Sequence, residues 1–376
     1  MIWSSILLSA ACSISGIQAS PVAGPQPIEA SSLEARTDKC EFSGKDGAAL
    51  AIKSKTSCST IVLSSIFVPA GTTLDLDGLN DHTHVIFEGT TTFGYKEWSG
   101  PLITFSGNDL TITGASGSLL DGEGSRWWDG KGNGGKTKPT FMDIHNMNSS
   151  TITGLNIKNS PERVISIYNA YDVTLDHVTI DDKDGDLHGG HNTDGFDVGH
   201  SENVLISNGV VYNQDDCLAI VSGKNITFTG GFCSGGHGLS IGSVGNKSFN
   251  TVSDVLIENS VVENSATAVR IKTVTGGHGS VSGITWRDIT LKDITNVAVV
   301  IEQNYSGGGP VGQPTNGVPI KDITLSNVHG TVTSSATRVD IVCAAGACSD
   351  FTWDRVDITG GKKSTICEHV PSSASC

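Results

Sequence analysis

One short pattern recurs along most of this chain. An Asn, Asp or Ser leads into alternating apolar residues and ends on a Gly or Asn turn. Instances open near Asp109, Ser150, Asp172, Asn203, Asn225, Asp254, Gly283 and Asp322; from Ser150 onward they stand 22, 31, 22, 29, 29 and 39 residues apart. Period-two alternation bounded by turn residues marks short strands. Sandwiches and propellers give longer composite repeats or tighter hairpin signals, and hairpin dipeptides are sparse here. A solenoid, in which each coil buries its apolar face against the next, fits the spacing. The expected fold is therefore all-β: a single-domain right-handed parallel β-helix with about three short strands per coil. With 37% hydrophobic residues such a chain can bury a long core, which excludes global disorder.

The end coils of a solenoid expose core and need plugs. The stretch Asp46–Ser57 supplies one, a short N-terminal capping helix with Ala48, Ala49, Leu50 and Ile52 as its apolar face. The segment holding Cys367 and Cys376 would close the other end. Two stretches interrupt the repeats, Gly122–Pro139 and Tyr305–Pro319. Long loops on a rigid scaffold commonly wall a site. Trp127 and Trp128 in the first either stack on a sugar face or pack beneath the loop.

The N-terminus reads as a secretory signal peptide over 1–19, with the apolar run Ile6–Cys12 followed by small residues, although no Lys or Arg precedes the run. The run is too short for a membrane span. Residues 20–39 read as a propeptide ending at Arg36 or Lys39, leaving 40–376 as the catalytic domain. Nine cysteines are present; Cys12 leaves with the signal peptide and eight remain. An even number in a secreted chain points to four disulfides, with 105 pairings open from sequence. No paired Cys-x-x-Cys spacing occurs and the His residues do not stand near the cysteines in a ligand-like pattern, so neither metal nor cofactor is expected. The sequons at Asn225, Asn246 and Asn148 are glycosylation candidates; a fourth, at Asn304, lies beside a candidate site residue.

Net charge is -15, which makes nucleic acid a poor partner. Four polar motifs nevertheless stand in order: Asn192-Thr193-Asp194, Asp215-Asp216, Gly236-His237-Gly238 and Arg270-Ile271-Lys272. Asp194 to Asp215 is 21 residues and Asp215 to His237 is 22, about one coil each. Carboxylates for acid–base work would then lie beside an imidazole, with two cations following on one strand face. Asp215 and Asp216 cannot both face a groove from a regular strand, so they belong at a strand end or turn. Clustered carboxylates raise one another's pKa, which would keep one protonated as the acid. Arg270 and Lys272 suit an anionic substrate. Asp197, one strand step beyond Asp194, is a further candidate.

The ordered set resembles glycoside hydrolase family 28, the polygalacturonases, and the fungal endo-acting kind in particular, from about Cys40 to Cys376. The resemblance implies hydrolysis of α-1,4-galacturonosyl bonds in de-esterified pectin by an inverting mechanism. It implies Asp215 as proton donor, Asp194 and Asp216 as the residues that orient and activate water, and His237 as the tuning partner of Asp215. Arg270, Lys272, Tyr305 and Asn192 would bind substrate. Inversion implies carboxyl groups roughly 6.5–9.5 Å apart across the bond. A solenoid favours near neighbours as disulfide partners, and the resemblance implies the same: Cys40–Cys58, Cys217–Cys233, Cys343–Cys348 and Cys367–Cys376. A secreted monomer acting on polygalacturonate, with no membrane partner, is the leading expectation. The alternatives are an exo-acting or other pectin-directed relative, a calcium-dependent pectate lyase, and a non-catalytic binding β-helix. The last gives no reason for three Asp, a glycine-flanked His and an Arg/Lys pair to converge.

Overall fold

The computed structural model describes residues 39–376. Among them, 26 strands join one continuous sheet in which every strand pairing is parallel. The sheet winds in coils, so each strand bonds to those one coil before and after it. This is the expected parallel β-helix.

The alternation seen in the sequence becomes geometry on the face that runs through the strands Phe196–Gly199, Leu218–Ile220, Leu239–Val244, Thr267–Val274 and Val297–Tyr305. Ladder register stacks Ile144, Ile167, Val198, Ile220, Ile241, Ile271, Ile301 and Ile341 in one inward column. All eight are buried. The residue before each, one strand step away, must then face outward. That outward column reads Asp143, Ser166, Asp197, Ala219, Ser240, Arg270, Val300 and Asp340. An aliphatic stack thus fixes the spacing of a polar row.

A helix at Gly44–Ser54 plugs the first coil, and Cys40–Cys58 ties it back. Its buried face is Gly47, Ala48 and Ala51, with Ile52 half-buried; Ala49 and Leu50 point to solvent, contrary to expectation. Helical period places 47, 48 and 51 on one side, which a contiguous apolar run does not. A Cβ at Gly47 would come 2.7 Å from Ile66 Cγ2, so the helix lies against the coil at glycine distance. At the other end Val370, Ala374 and Cys376 pack against the core, as do Trp353, Val356 and Ile358. The four disulfides pair as anticipated. No helix among the described residues is long and apolar enough to cross a membrane. The signal-peptide and propeptide segments lie outside the described residues, apart from Lys39.

Candidate active site

A cleft of about 1080 Å³ opens over this polar face. Asp194, Asp216 and His237 each stand two residues before the register-matched residues Phe196, Leu218 and Leu239. The amide of Gly195 continues the ladder by donating to Asp216 O at 2.8 Å. The column of equivalent positions is therefore Asp194–Asp216–His237, and Asp215 lies one residue outside it. Residues 213–217 carry no strand pairing and bend, as a pair of neighbouring cleft-facing carboxylates requires.

Asp215 is enclosed by donors. His237 Nδ1 lies 2.9 Å from its Oδ1, the Asp216 backbone N–H donates to the same oxygen at 2.8 Å, and Asn192 Nδ2 donates to Oδ2 at 2.9 Å. Burial would raise its pKa, but the hydrogen bond and charge of His237, then Lys272, outweigh it and hold the carboxyl at about 2. Proximity of carboxylates was expected to keep Asp215 protonated; the imidazole and ammonium reverse that. The raised group is Asp194, pushed well up by burial and then by Asp197, Asp215 and Asp216. No hydrogen bond reaches the Asp194 carboxyl among the described residues. Asp197 is also pushed up, to about 7, mainly by burial.

Asp216 uses both oxygens: Ser240 Oγ donates to Oδ1 at 2.6 Å, and Lys272 Nζ donates to Oδ2. Burial alone would depress the Lys272 ammonium, but Asp216 outweighs it and the pKa rises. Arg270 pairs with Glu302 at 3.0 Å, and Tyr305 lies beside both cations, its ring centroid 5.3 Å from the guanidinium and 5.5 Å from the ammonium. The pair expected to meet substrate thus already holds protein carboxylates. Glu302 is met through Nη2 alone, and Arg270 Nε is buried with no hydrogen-bond partner among the described residues.

The donors of Asp215, Asp216 and His237 lie within 4.8 Å of one another. Asp216 has no free oxygen and Lys272 supplies a positive charge there, so the arrangement suits an ammonium better than a metal ion. The same proximity puts Asp215 and Asp216 closer than the expected 6.5–9.5 Å.

Both loops reach the cleft, through Asn133 of the first and Gly307–Pro310 of the second. Trp127 and Trp128 do not: they are buried, their indole N–H groups donating to Lys96 O at 2.8 Å and Ser160 O at 3.0 Å. Packing wins over sugar stacking. Asn304 is buried and donates to Gly312 O at 3.0 Å, so its sequon is closed to a glycan. Asn246 is exposed, and so is Asn225, whose amide donates to Asn203 at 2.7 Å; Asn148 is half-buried and donates to Asn108 at 2.8 Å. Sequence reasoning missed Glu302 and Arg163 in the cleft and Ser240, buried against Asp216. Ser240 shares the outward column of Arg270, so strand register would have found it.

The family Glycosyl hydrolases family 28 matches over residues 58–376. Polygalacturonase 2 of Penicillium olsonii is 60% identical over 359 residues, covering 94% of each chain. Endopolygalacturonase I of Aspergillus aculeatus is 56% identical over 374 residues, covering 99% of this chain and 98% of its own. Among solved structures, endopolygalacturonase I from Stereum purpureum complexed with two galacturonates superposes with a TM-score of 0.79 at 38% identity, covering 86% of this chain and 95% of that one.

Proposed function

Since the chain belongs to glycosyl hydrolases family 28 and is a glycoside hydrolase, we propose that it hydrolyses α-1,4 bonds inside de-esterified polygalacturonate and inverts the anomeric centre. The observation that carries this reading is the Asp215–His237 pair facing the cleft beside the cations Arg270 and Lys272 and the Tyr305 ring they flank. A galacturonate carboxylate would meet the Arg270 guanidinium at an N–H that Glu302 leaves free. Methyl esters remove that charge, so de-esterified substrate is preferred.

In the free site Asp215 is held ionised. When a sugar chain covers the cleft and expels water, a buried charge loses solvation and the protonated form of Asp215 gains. Asp215 gives that proton to the glycosidic oxygen as the C1–O bond breaks. Water attacks C1 from the other side and passes a proton to Asp216. Asp194 orients this water, its carboxyl pushed well up by burial and by the neighbouring carboxylates. Each Asp216 oxygen keeps a second lone pair beside its contact with Ser240 or Lys272, enough to accept the water's proton. The anomeric outcome decides whether Asp216 acts on water or on the sugar. The test is ¹H NMR of the first turnovers: a β-anomeric product supports this mechanism, and an α-anomeric product overturns it.

The protein acts outside the cell on this reading. Four disulfides favour an oxidising compartment, in keeping with a signal peptide over 1–19 and a propeptide ending at Arg36 or Lys39. Asn225 and Asn246, both exposed, are then the candidate sites for glycans.

A further inference from the structure

We infer that the Gly122–Pro139 loop sets the hydrogen bonding of Asp215 through the side chain of Asn192, with Lys138 and Gly132 as its positioning residues. This deepens the hydrolase reading and rests on Asp215 being the proton donor.

The chain of contacts is continuous. The Lys138 side chain is 2% exposed, and its ammonium spends three donors inside the loop: on Asp129 Oδ1 at 3.0 Å, Gly132 O at 2.9 Å and Lys136 O at 3.0 Å. Asp129 in turn accepts the backbone N–H groups of Lys131 at 3.1 Å and Lys136 at 2.7 Å. A buried ammonium so engaged locks the loop into one shape, because losing any partner leaves a charge uncompensated. The shape ends at Asn133, whose backbone N–H donates to Asn192 Oδ1 at 3.1 Å. With its carbonyl oxygen taken, the Asn192 amide has only its NH₂ to offer Asp215, which it gives to Oδ2 at 2.9 Å. The loop thereby chooses which end of the amide meets the acid. Turned over, the amide would set an oxygen against a carboxylate.

Gly132 is where the loop comes closest. Its φ is +51°, and a Cβ there would lie 1.9 Å from Asn192 Oδ1 and 3.0 Å from His191 Nδ1. An alanine would have to displace the Asn192 amide. Lys138 and Gly132 touch no part of the Asp215–His237 pair, so their influence must pass through Asn192.

The consequence has a sign. Each donor to a carboxylate holds its pKa down. Loosening the loop removes one donor from Asp215 and raises the pH at which the Asp215–His237 pair gains its proton. Lys138→Met and Gly132→Ala should lower kcat about tenfold or more with KM changed under threefold, and should shift the kcat–pH profile to higher pH.

A double-mutant cycle with Asn192→Ala tests the route. If the loop acts through Asn192, Lys138→Met adds no further kcat loss or pH shift in the Asn192→Ala background. Full additivity would overturn the inference and make Lys138 a purely structural residue. Lys138→Arg, which keeps the charge, should restore part of the profile. Should Lys138→Met fail to fold, Gly132→Ala carries the same cycle. An independent readout is the NMR titration of the His237 ring in the intact protein: the titration should move in both loop variants and in Asn192→Ala. That shift without polygalacturonate hydrolysis would sink the function while sparing the wiring. Hydrolysis with an unmoved titration would sink the wiring alone.

Discussion

Asp215 sits among three other carboxyl groups and is nonetheless the one held ionised, because His237, Lys272, the Asp216 N–H and the Asn192 amide all favour its charged form. Removing the largest of these should be visible. In His237→Ala the Asp215 pKa is expected to rise toward that of a buried carboxyl, moving the limb of the kcat–pH profile that reports it to higher pH and lowering kcat about 10- to 100-fold. An unmoved limb would show that His237 does not act on the acid. Asp215→Asn keeps the shape and removes the proton, so kcat should fall about 10²- to 10⁴-fold or more with KM within a few-fold, measured as new reducing ends. Site residues with a charge and a motif were legible in the sequence: Asp194, Asp215, Asp216, His237, Arg270 and Lys272. Their protonation was not, since it depends on which neighbour each faces across the coil. Lys272, read as a substrate cation, also lies on Asp216, 56 residues away in sequence.

The strand Thr267–Val274 shows how an element carries the site. Arg270 and Lys272 face the cleft because Val269 and Ile271 face the core. Ile271 is fully buried in the aliphatic column between Ile241 and Ile301. Ile271→Ala should cost about 2–5 kcal/mol in unfolding free energy by denaturant titration, through lost burial and the cavity left behind. A cost under about 0.5 kcal/mol would mean the column is not what fixes the strand. The turn before Leu239–Val244 is just as constrained. Gly238 has φ +72°, and a Cβ there would lie 2.5 Å from Ala268 O, so the glycines flanking His237 serve close coil stacking. The repeat in the sequence announced such coils because turn residues and alternation are local. It did not announce the shape of the Gly122–Pro139 loop, where buried Lys138 and two packed tryptophans decide the outcome. There a charged residue and two aromatics looked like surface chemistry, and long-range packing overrode that look.

At the scale of the molecule, several carboxyls are buried and pushed up: Asp182 and Asp197 to about 7, with Asp143, Glu162 and Asp194 raised as well. A carboxyl whose folded pKa exceeds its unfolded value favours folding least when ionised, so stability falls as pH rises from about 4 through about 7. For fully buried Asp182 alone, a rise from 3.8 to about 7 amounts to about 4 kcal/mol. Asp129 and Asp176, held at about 2 by hydrogen bonds, act oppositely, and their contribution is lost as pH drops below about 4. The thermal midpoint should therefore peak in mildly acidic buffer and fall by several degrees by about pH 8, with Asp182→Asn flattening the alkaline side. A midpoint that climbs toward pH 8 would contradict this. The same acidic range reduces repulsion between a chain of net charge -15 and a polyanionic substrate. The most direct test of the function is to incubate purified protein with polygalacturonate and a chelator at mildly acidic pH, following viscosity, reducing ends and the absorbance of unsaturated products, with Asp215→Asn in parallel. The expected result is a rapid viscosity drop with new reducing ends and no unsaturated product, abolished in Asp215→Asn. Activity that appears only with added calcium and yields unsaturated products would contradict it.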